Sequence, residues 1–230
     1  MTVYAWPGFP VNRFEMRLQP NTRTFTGPYA PVTQTLDLLG ERWVISLTLV
    51  PTVNDTITGA ALEAFWDRLK AQANSIAIGH LKRPQPQGTL RGGGVPAAWR
   101  TSSGAAATWH TSTGATATWR TGAPVVAIDI PQLASTGFLR TLAGSTLLAG
   151  DQIGIGGQLV RIMANATADG AGLMAIEFQP RARRVIHAYS AVLWDAPTAT
   201  FMLKPGTSNV PTSWTPGAID GATVELIETY

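Results

Sequence analysis

Between Trp43 and Val50 the chain alternates without a fault. Trp43, Ile45, Leu47 and Leu49 fall on one side, Val44, Ser46, Thr48 and Val50 on the other. A repeat of two fits the pleat of a strand and not the 3.6-residue turn of a helix, so the segment predicts a strand, ended by Pro51. The pattern recurs. Phe14, Met16 and Leu18 alternate with Glu15 and Arg17, which predicts a half-buried strand broken by Pro20-Asn21-Thr22. Val32 to Leu38 alternates again, and its short Leu39-Gly40-Glu41 link to the Trp43 strand predicts a hairpin. Further strands are expected over 75–78, 125–130, 158–165, 173–178, 185–193, 199–203 and 223–227. Asp169-Gly170 is a turn signal between the third and fourth of these, and another turn falls within Leu147–Ile153.

One segment breaks the rule of two. From Thr58 to Ala73, Ala61, Leu62, Phe65, Leu69 and Ala73 follow three- and four-residue spacing, with Glu63, Asp67, Arg68, Lys70 and Gln72 between them. That predicts a single helix with Thr58 as N-cap. About ten strands and one helix give a mainly β (α+β) fold class, a β-sandwich or barrel with one packed helix.

Residues 93–122 differ in character, with no acidic residue and an excess of Thr, Ser, Ala and Gly. Trp99-Arg-Thr-Ser-Ser-Gly-Ala, Trp109-His-Thr-Ser-Thr-Gly-Ala and Trp119-Arg-Thr-Gly-Ala repeat at ten residues. Thr and Trp favour strands, and Ser-Gly and Thr-Gly favour turns, so a β-hairpin-like insertion is expected. A two-residue turn at Ser103-Gly104 pairs Trp99 with Thr108; a three-residue turn centred on Gly104 pairs Trp99 with Trp109. The domain reading is one β-rich domain built from 1–92 and 123–230, interrupted by this insertion.

Composition narrows the function. The 230 residues contain no Cys, which excludes a disulfide framework, a thiolate metal site and a cysteine nucleophile. No apolar run reaches the ~18 residues of a membrane helix, and the start of the chain has neither the basic nor the apolar region of a secretory signal. Only 13% of residues are charged, against about 25% in ordinary domains. Such a surface is poorly protected against association, which implies cover by partner subunits or, alternatively, a Thr/Ser-rich β-protein. The net charge is +3, and only Arg181, Arg183 and Arg184 cluster. That cluster reads as a solvated strand end or a subunit contact in preference to DNA binding, and no sequence-specific nucleic-acid binding is expected.

The search for chemistry is negative. His80, His110 and His187 lie at no metal-binding spacing. Gly154-Ile155-Gly156-Gly157 lacks the spacing and the following helix of a nucleotide loop and reads as a β-turn. Gly144-Ser145-Thr146 is not a nucleophile elbow. Neither catalytic residue, metal nor cofactor is assigned, and no enzyme is expected. Trp99, Trp109 and Trp119 stand in a polar segment with no evident core. They suit a partner contact, a mini-core of the insertion, or stacking on a sugar.

The order of segments carries a resemblance. Trp6-Pro7 precedes Asn21-Thr22-Arg23, Gln34-Thr35-Leu36, Arg42-Trp43 and Leu49-Val50-Pro51; then comes Phe65-Trp66-Asp67-Arg68-Leu69. Leu148-Ala149-Gly150-Asp151-Gln152-Ile153-Gly154-Ile155, Val160-Arg161-Ile162, Asp169-Gly170 and Ile176-Glu177-Phe178-Gln179-Pro180-Arg181 follow. Outside 93–122 this resembles the distal tail or minor tail proteins of long flexible-tailed (siphovirus-like) bacteriophages. The resemblance implies a structural virion protein, made in the host cytoplasm, that forms a homo-oligomeric ring between tail tube and central hub. Six copies would continue the tube symmetry and three would match a trimeric hub. Tube protein, hub or tip proteins and the tape measure in the lumen would be its partners, and it would do no chemistry. A carbohydrate-binding β-sandwich using the Trp repeat is the alternative, and a glycan-degrading tail enzyme a third class.

Overall fold

A computed structural model describes residues 2–26, 33–53, 56–70, 72–90, 99–100, 106–107, 109–110, 112–114, 116–117, 124–205, 214–215, 218–219 and 222–229. The protein is mainly β with one helix among these residues. It divides into two compact units, Met1–Pro84 with Thr198–Tyr230, and Gln85–Pro197. The boundary differs from the expected grouping of 1–92 with 123–230. Strand pairing explains why: the last strand before the chain leaves the first unit ends at Gly79, and Thr198, where it re-enters, is the residue paired with Gly79.

The first unit begins with β1 (Val3–Ala5), β2 (Val11–Gln19), β3 (Thr22–Thr26), β4 (Thr33–Asp37), β5 (Arg42–Leu49) and β6 (Thr52–Val53). It continues through α1 (Thr56–Leu69) and β7 (Ser75–Gly79). In the second unit β8 (Trp99–Arg100), β9 (Ala106–Ala107), β10 (Trp109–His110) and β11 (Thr116–Ala117) come first. After them come β12 (Val125–Val126), β13 (Thr136–Arg140), β14 (Thr146–Leu147), β15 (Gln152–Ile155), β16 (Gln158–Ile162), β17 (Ala166–Thr167), β18 (Leu173–Gln179) and β19 (Val192–Leu193). The first unit resumes with β20 (Thr198–Leu203), β21 (Trp214–Thr215), β22 (Ala218–Ile219) and β23 (Thr223–Glu228).

In the first unit six strands form one sheet in the order β1-β7-β20-β23-β5-β2, parallel at β1–β7 and antiparallel elsewhere. The alternation read from β5 holds: Trp43, Ile45, Leu47 and Leu49 are buried, as are their neighbours Val224 and Leu226. The opposite face carries Arg13, Glu15, Ser46, Thr48, Glu225 and other polar groups, as an antiparallel sheet with one solvated side requires. Helix α1 buries Leu62, Phe65, Trp66 and Leu69. Trp6 and Phe9 pack edge-on against Phe65, at 6.0 and 6.1 Å between ring centroids.

Two expectations are corrected here. The helix starts at Thr56, so Thr58 lies inside it and is not the cap, and it ends at Leu69 rather than Ala73. Lys70 turns left-handed (φ 46°), and Asn74 closes the end by donating its side-chain amide to the Arg68 carbonyl and its backbone N–H to that of Leu69. The hairpin expected between 32–38 and 43–50 does not form. β4 pairs with β3, and β5 pairs with β2, so 11–49 is one long two-part ribbon. The Leu39-Gly40 link is a kink in that ribbon, not its turn. Both residues have positive φ, and Asn21 Nδ2 holds the Leu39 carbonyl at 2.9 Å.

The second unit is a nearly closed barrel in the order β12-β13-β18-β16-β15-β19. The Val125–Ala191 bridge, with Val126 N–H bonded to the Ser190 carbonyl and Val192 N–H to that of Pro124, links its first strand to its last. Leu139, Ile153, Ile155, Val160, Ile162, Met174, Ile176 and Phe178 fill the interior. The strands expected over 125–130 and 185–193 are cut short. Asp129 turns its carboxylate to the Ala188 N–H at 2.7 Å and interrupts the ladder. Gly156 and Gly157, both at positive φ, make the tight β15–β16 turn, so the glycine cluster is a β-turn. Asp169 caps the next turn by accepting from the N–H groups of Ala171 and Leu173.

The insertion register also departs from both expected pairings. Trp99 pairs with Ala107, and ten residues on Trp109 pairs with Ala117. The first two repeats each pair within themselves, and Trp99 pairs with neither Thr108 nor Trp109.

Candidate interaction surfaces

The arginine cluster sits on a loop built by one buried amide. Gln158 on β16 donates from Nε2 to the carbonyls of Pro180 (3.3 Å) and Arg181 (2.8 Å) and accepts at Oε1 from the Arg183 N–H (3.0 Å). From the other side Gln132 Nε2 donates to the Arg183 carbonyl at 2.9 Å. Arg184 is exposed and donates to the Gly156 carbonyl at 2.6 Å, while Arg181 and Arg183 are half-buried. Three cations are therefore presented on a held loop, not on a loose strand end. A held loop loses little conformational entropy when it binds.

The Trp candidates separate. Trp99 and Trp109 occupy the same position in successive hairpins; Trp119 lies outside the described residues. Nothing in the described residues brings the Trp repeat to the arginine loop.

Charges elsewhere serve local order. Asp151 is buried and accepts from the N–H groups of Gln87 (2.7 Å), Gly88 (3.1 Å) and Leu148 (2.8 Å), fastening the 85–90 segment to the β14–β15 turn. Lys204 Nζ meets Glu225 Oε2 at 2.6 Å on the open face of the first sheet. That hydrogen bond and the Lys204 charge, with a smaller contribution from Arg17, hold the Glu225 carboxyl below its ordinary value. His187 Nδ1 stands 3.7 Å from Asp129 Oδ2, both exposed, and His80 Nδ1 accepts from the Arg83 N–H. Among the described residues no three His, Asp or Glu side chains gather as a metal site, and no helix is long and apolar enough to cross a membrane.

Residues that organise these surfaces gave no sequence signal. Gln158 reads as one polar position in a strand. Leu133 and Tyr189 occupy positive-φ turn positions where glycine would be expected, so no turn signal marks them. No protein-family model matches the chain, and no curated protein matches it.

Proposed function

We propose that the chain is a structural protein of a phage tail tip, which assembles into a ring joining the tail tube to the hub around the DNA channel. One observation carries the reading. The first unit is an open sheet whose two ends differ: β1 at one edge and the nine-residue β2 at the other each have a single neighbour among the described strands. Two unlike edges suit a head-to-tail contact between like subunits, and closing a ring of them pairs both. The row Phe14, Met16 and Leu18 on β2 is only half-buried. On the ribbon beyond it Phe25 and Leu36 are exposed.

Sedimentation at increasing concentration, alone and with tail-tube and hub proteins, tests the proposal. A higher oligomer, or a monomer that assembles on one of those partners, is the expected result. A monomer at every concentration that binds neither overturns it. Particle images of the assembly then count six or three copies.

A second reading, recognition of a host-surface glycan by the Trp repeat, is supported by the identical register of Trp99 and Trp109. Each faces an Ala across a two-residue ladder too short to be stable on its own. It requires glycan binding that is lost in Trp109→Ala.

A further inference from the structure

We infer that the outer side of the ribbon formed by residues 124–134 and 182–192 is a docking surface for another protein, anchored by Leu133 and Tyr189 and suited to a partner that presents apolar side chains beside carboxylates. The inference does not depend on the ring reading.

Two turns carry it. The Ala134 N–H bonds to the Pro131 carbonyl, and the Ser190 N–H to that of His187, both at 3.2 Å. The third residues of these turns are Leu133 (φ 68°) and Tyr189 (φ 65°). Glycine or asparagine belongs at a positive-φ third position, because a Cβ there crowds the backbone. Each turn therefore holds a bulky side chain in a strained conformation, yet Leu133 is 51% and Tyr189 70% exposed. Only partial burial within the fold offsets that strain. Strain of this kind persists where the surroundings enforce it and concentrates at functional positions.

The surroundings do enforce it. Leu133 N–H bonds to the Ala182 carbonyl, Ala182 N–H to that of Ala134, and Tyr189 N–H to that of Val126. Midway, Ile130 and Ile186 exchange both backbone bonds and point into the barrel core. On the outer side the exposed Ile128 and Val185 lie between the anchors. Exposed Phe138 adjoins them, its carbonyl accepting from the Ala127 N–H. Leu133 is tied to Ala182 and Tyr189 to Val126, so the two anchors stand at opposite ends of the ribbon.

Charge selects the occupant. Residues 85–197 contain eight Arg, no Lys and five carboxylates, so the whole net charge of the protein resides there. Arg181, Arg183 and Arg184 lie at the Leu133 end of the row, on the loop bonded to residues 132–134. A second copy of this unit would bring like charges together. A nucleic acid would meet the positive charge but leave the apolar row in water. Arginine without lysine, beside aromatic and aliphatic side chains, is the composition of a protein interface, and complementarity requires carboxylates on the partner.

The test uses the full chain and three immobilised peptide series, in which Leu and Phe are interspersed with Glu, with Gln or with Lys. Variants are the double substitution Leu133→Gly with Tyr189→Gly, and Arg184→Glu. The Glu series should bind at least tenfold more tightly than the Lys series and weaken with salt. Arg184→Glu should reduce that preference, and the double glycine variant should lose roughly tenfold, as removal of an anchor does. The thermal midpoint of the double variant should not fall, because relief of the positive-φ strain offsets the loss of partly buried side-chain surface. No binding of the Glu series, equal binding of the Glu and Lys series, undiminished binding by the double variant, or a lowered midpoint each overturns the proposal.

Discussion

Replacing Gln158 by Leu should release the arginine loop while leaving the barrel standing. Leucine fills most of the same volume, so the loss is confined to three hydrogen bonds. Two of them are short, at 2.8 and 3.0 Å, and one is long, at 3.3 Å. A hydrogen bond contributes about 1 kcal/mol net, and a buried group left without a partner costs about 1–3 kcal/mol. Arg181 and Arg183 are half-buried, so water can reach the freed Arg181 carbonyl and Arg183 N–H, which keeps the cost low there; Pro180 is buried and its carbonyl is not so readily rehydrated. The total comes to roughly 2–4 kcal/mol. Urea unfolding followed by hydrogen exchange, resolved by segment, measures it. The chain has two units, so the transition of residues 85–197 must be read separately. The Arg183 amide should lose protection even without denaturant. A cost below about 0.5 kcal/mol, with Arg183 as protected as before, would refute the assignment of Gln158 as the organiser of the loop. Gln158→Glu keeps the acceptor for Arg183 but sets a carboxylate against two carbonyls, so it should destabilise at least as much as Gln158→Leu.

Other substitutions test the frame. Asp151→Asn should cost roughly 1–3 kcal/mol, because whichever way the amide turns, its NH2 faces a backbone N–H that the carboxylate now accepts from; Asp151→Ala should cost more, both read by urea unfolding. Gly172→Ala should cost at least about 2 kcal/mol, since a Cβ there would lie 2.2 Å from the Thr141 carbonyl oxygen at φ 79°; an unchanged unfolding midpoint would contradict that turn geometry. Phe178→Ala empties the centre of the barrel and should cost about 3–5 kcal/mol. The lowered Glu225 carboxyl stabilises the fold above its ordinary value of 4.5, and that contribution fades as pH falls from there through the folded value. Lys204→Met should abolish most of this dependence in a pH series of thermal midpoints. The effect should be small and should shrink with salt, because both side chains are substantially exposed.

How much of this was legible in the chain differs by element. Strand β5 was clear because Trp43, Ile45, Leu47 and Leu49 are all buried while on the other face only Val44 is, and burial is what writes a period of two. The α1 stripe of Leu62, Phe65 and Leu69 was visible for the same reason. Its end was not, because Asn74 closes it from beyond the periodic segment. The partner of β4 was misjudged because Gly40 is equally at home in a hairpin turn and in a ribbon kink. Only the Asn21 contact, eighteen residues away along the chain, separates the two. Of the candidate contacts, the arginine cluster was visible as a run. That it is held rigidly by Gln158, and that Leu133 and Tyr189 stand beside and along the same ribbon, was not visible.

By itself, then, the sequence determined the local terms: that segments such as 14–18, 43–50, 173–178 and 199–203 are strands, that one segment is a helix, that 93–122 repeats at ten residues, and that charge is scarce. These follow from periodicity and composition, which act between near neighbours and need no knowledge of the fold. The tertiary structure alone decided which strand lies beside which, that Gln85–Pro197 forms a barrel of its own between two paired strands, and which bulky residues occupy glycine-like turns. Those outcomes depend on backbone hydrogen bonds between residues far apart in the chain. Every residue type offers the same N–H and C=O to such bonds, proline excepted, so the partners cannot be read from side-chain identity.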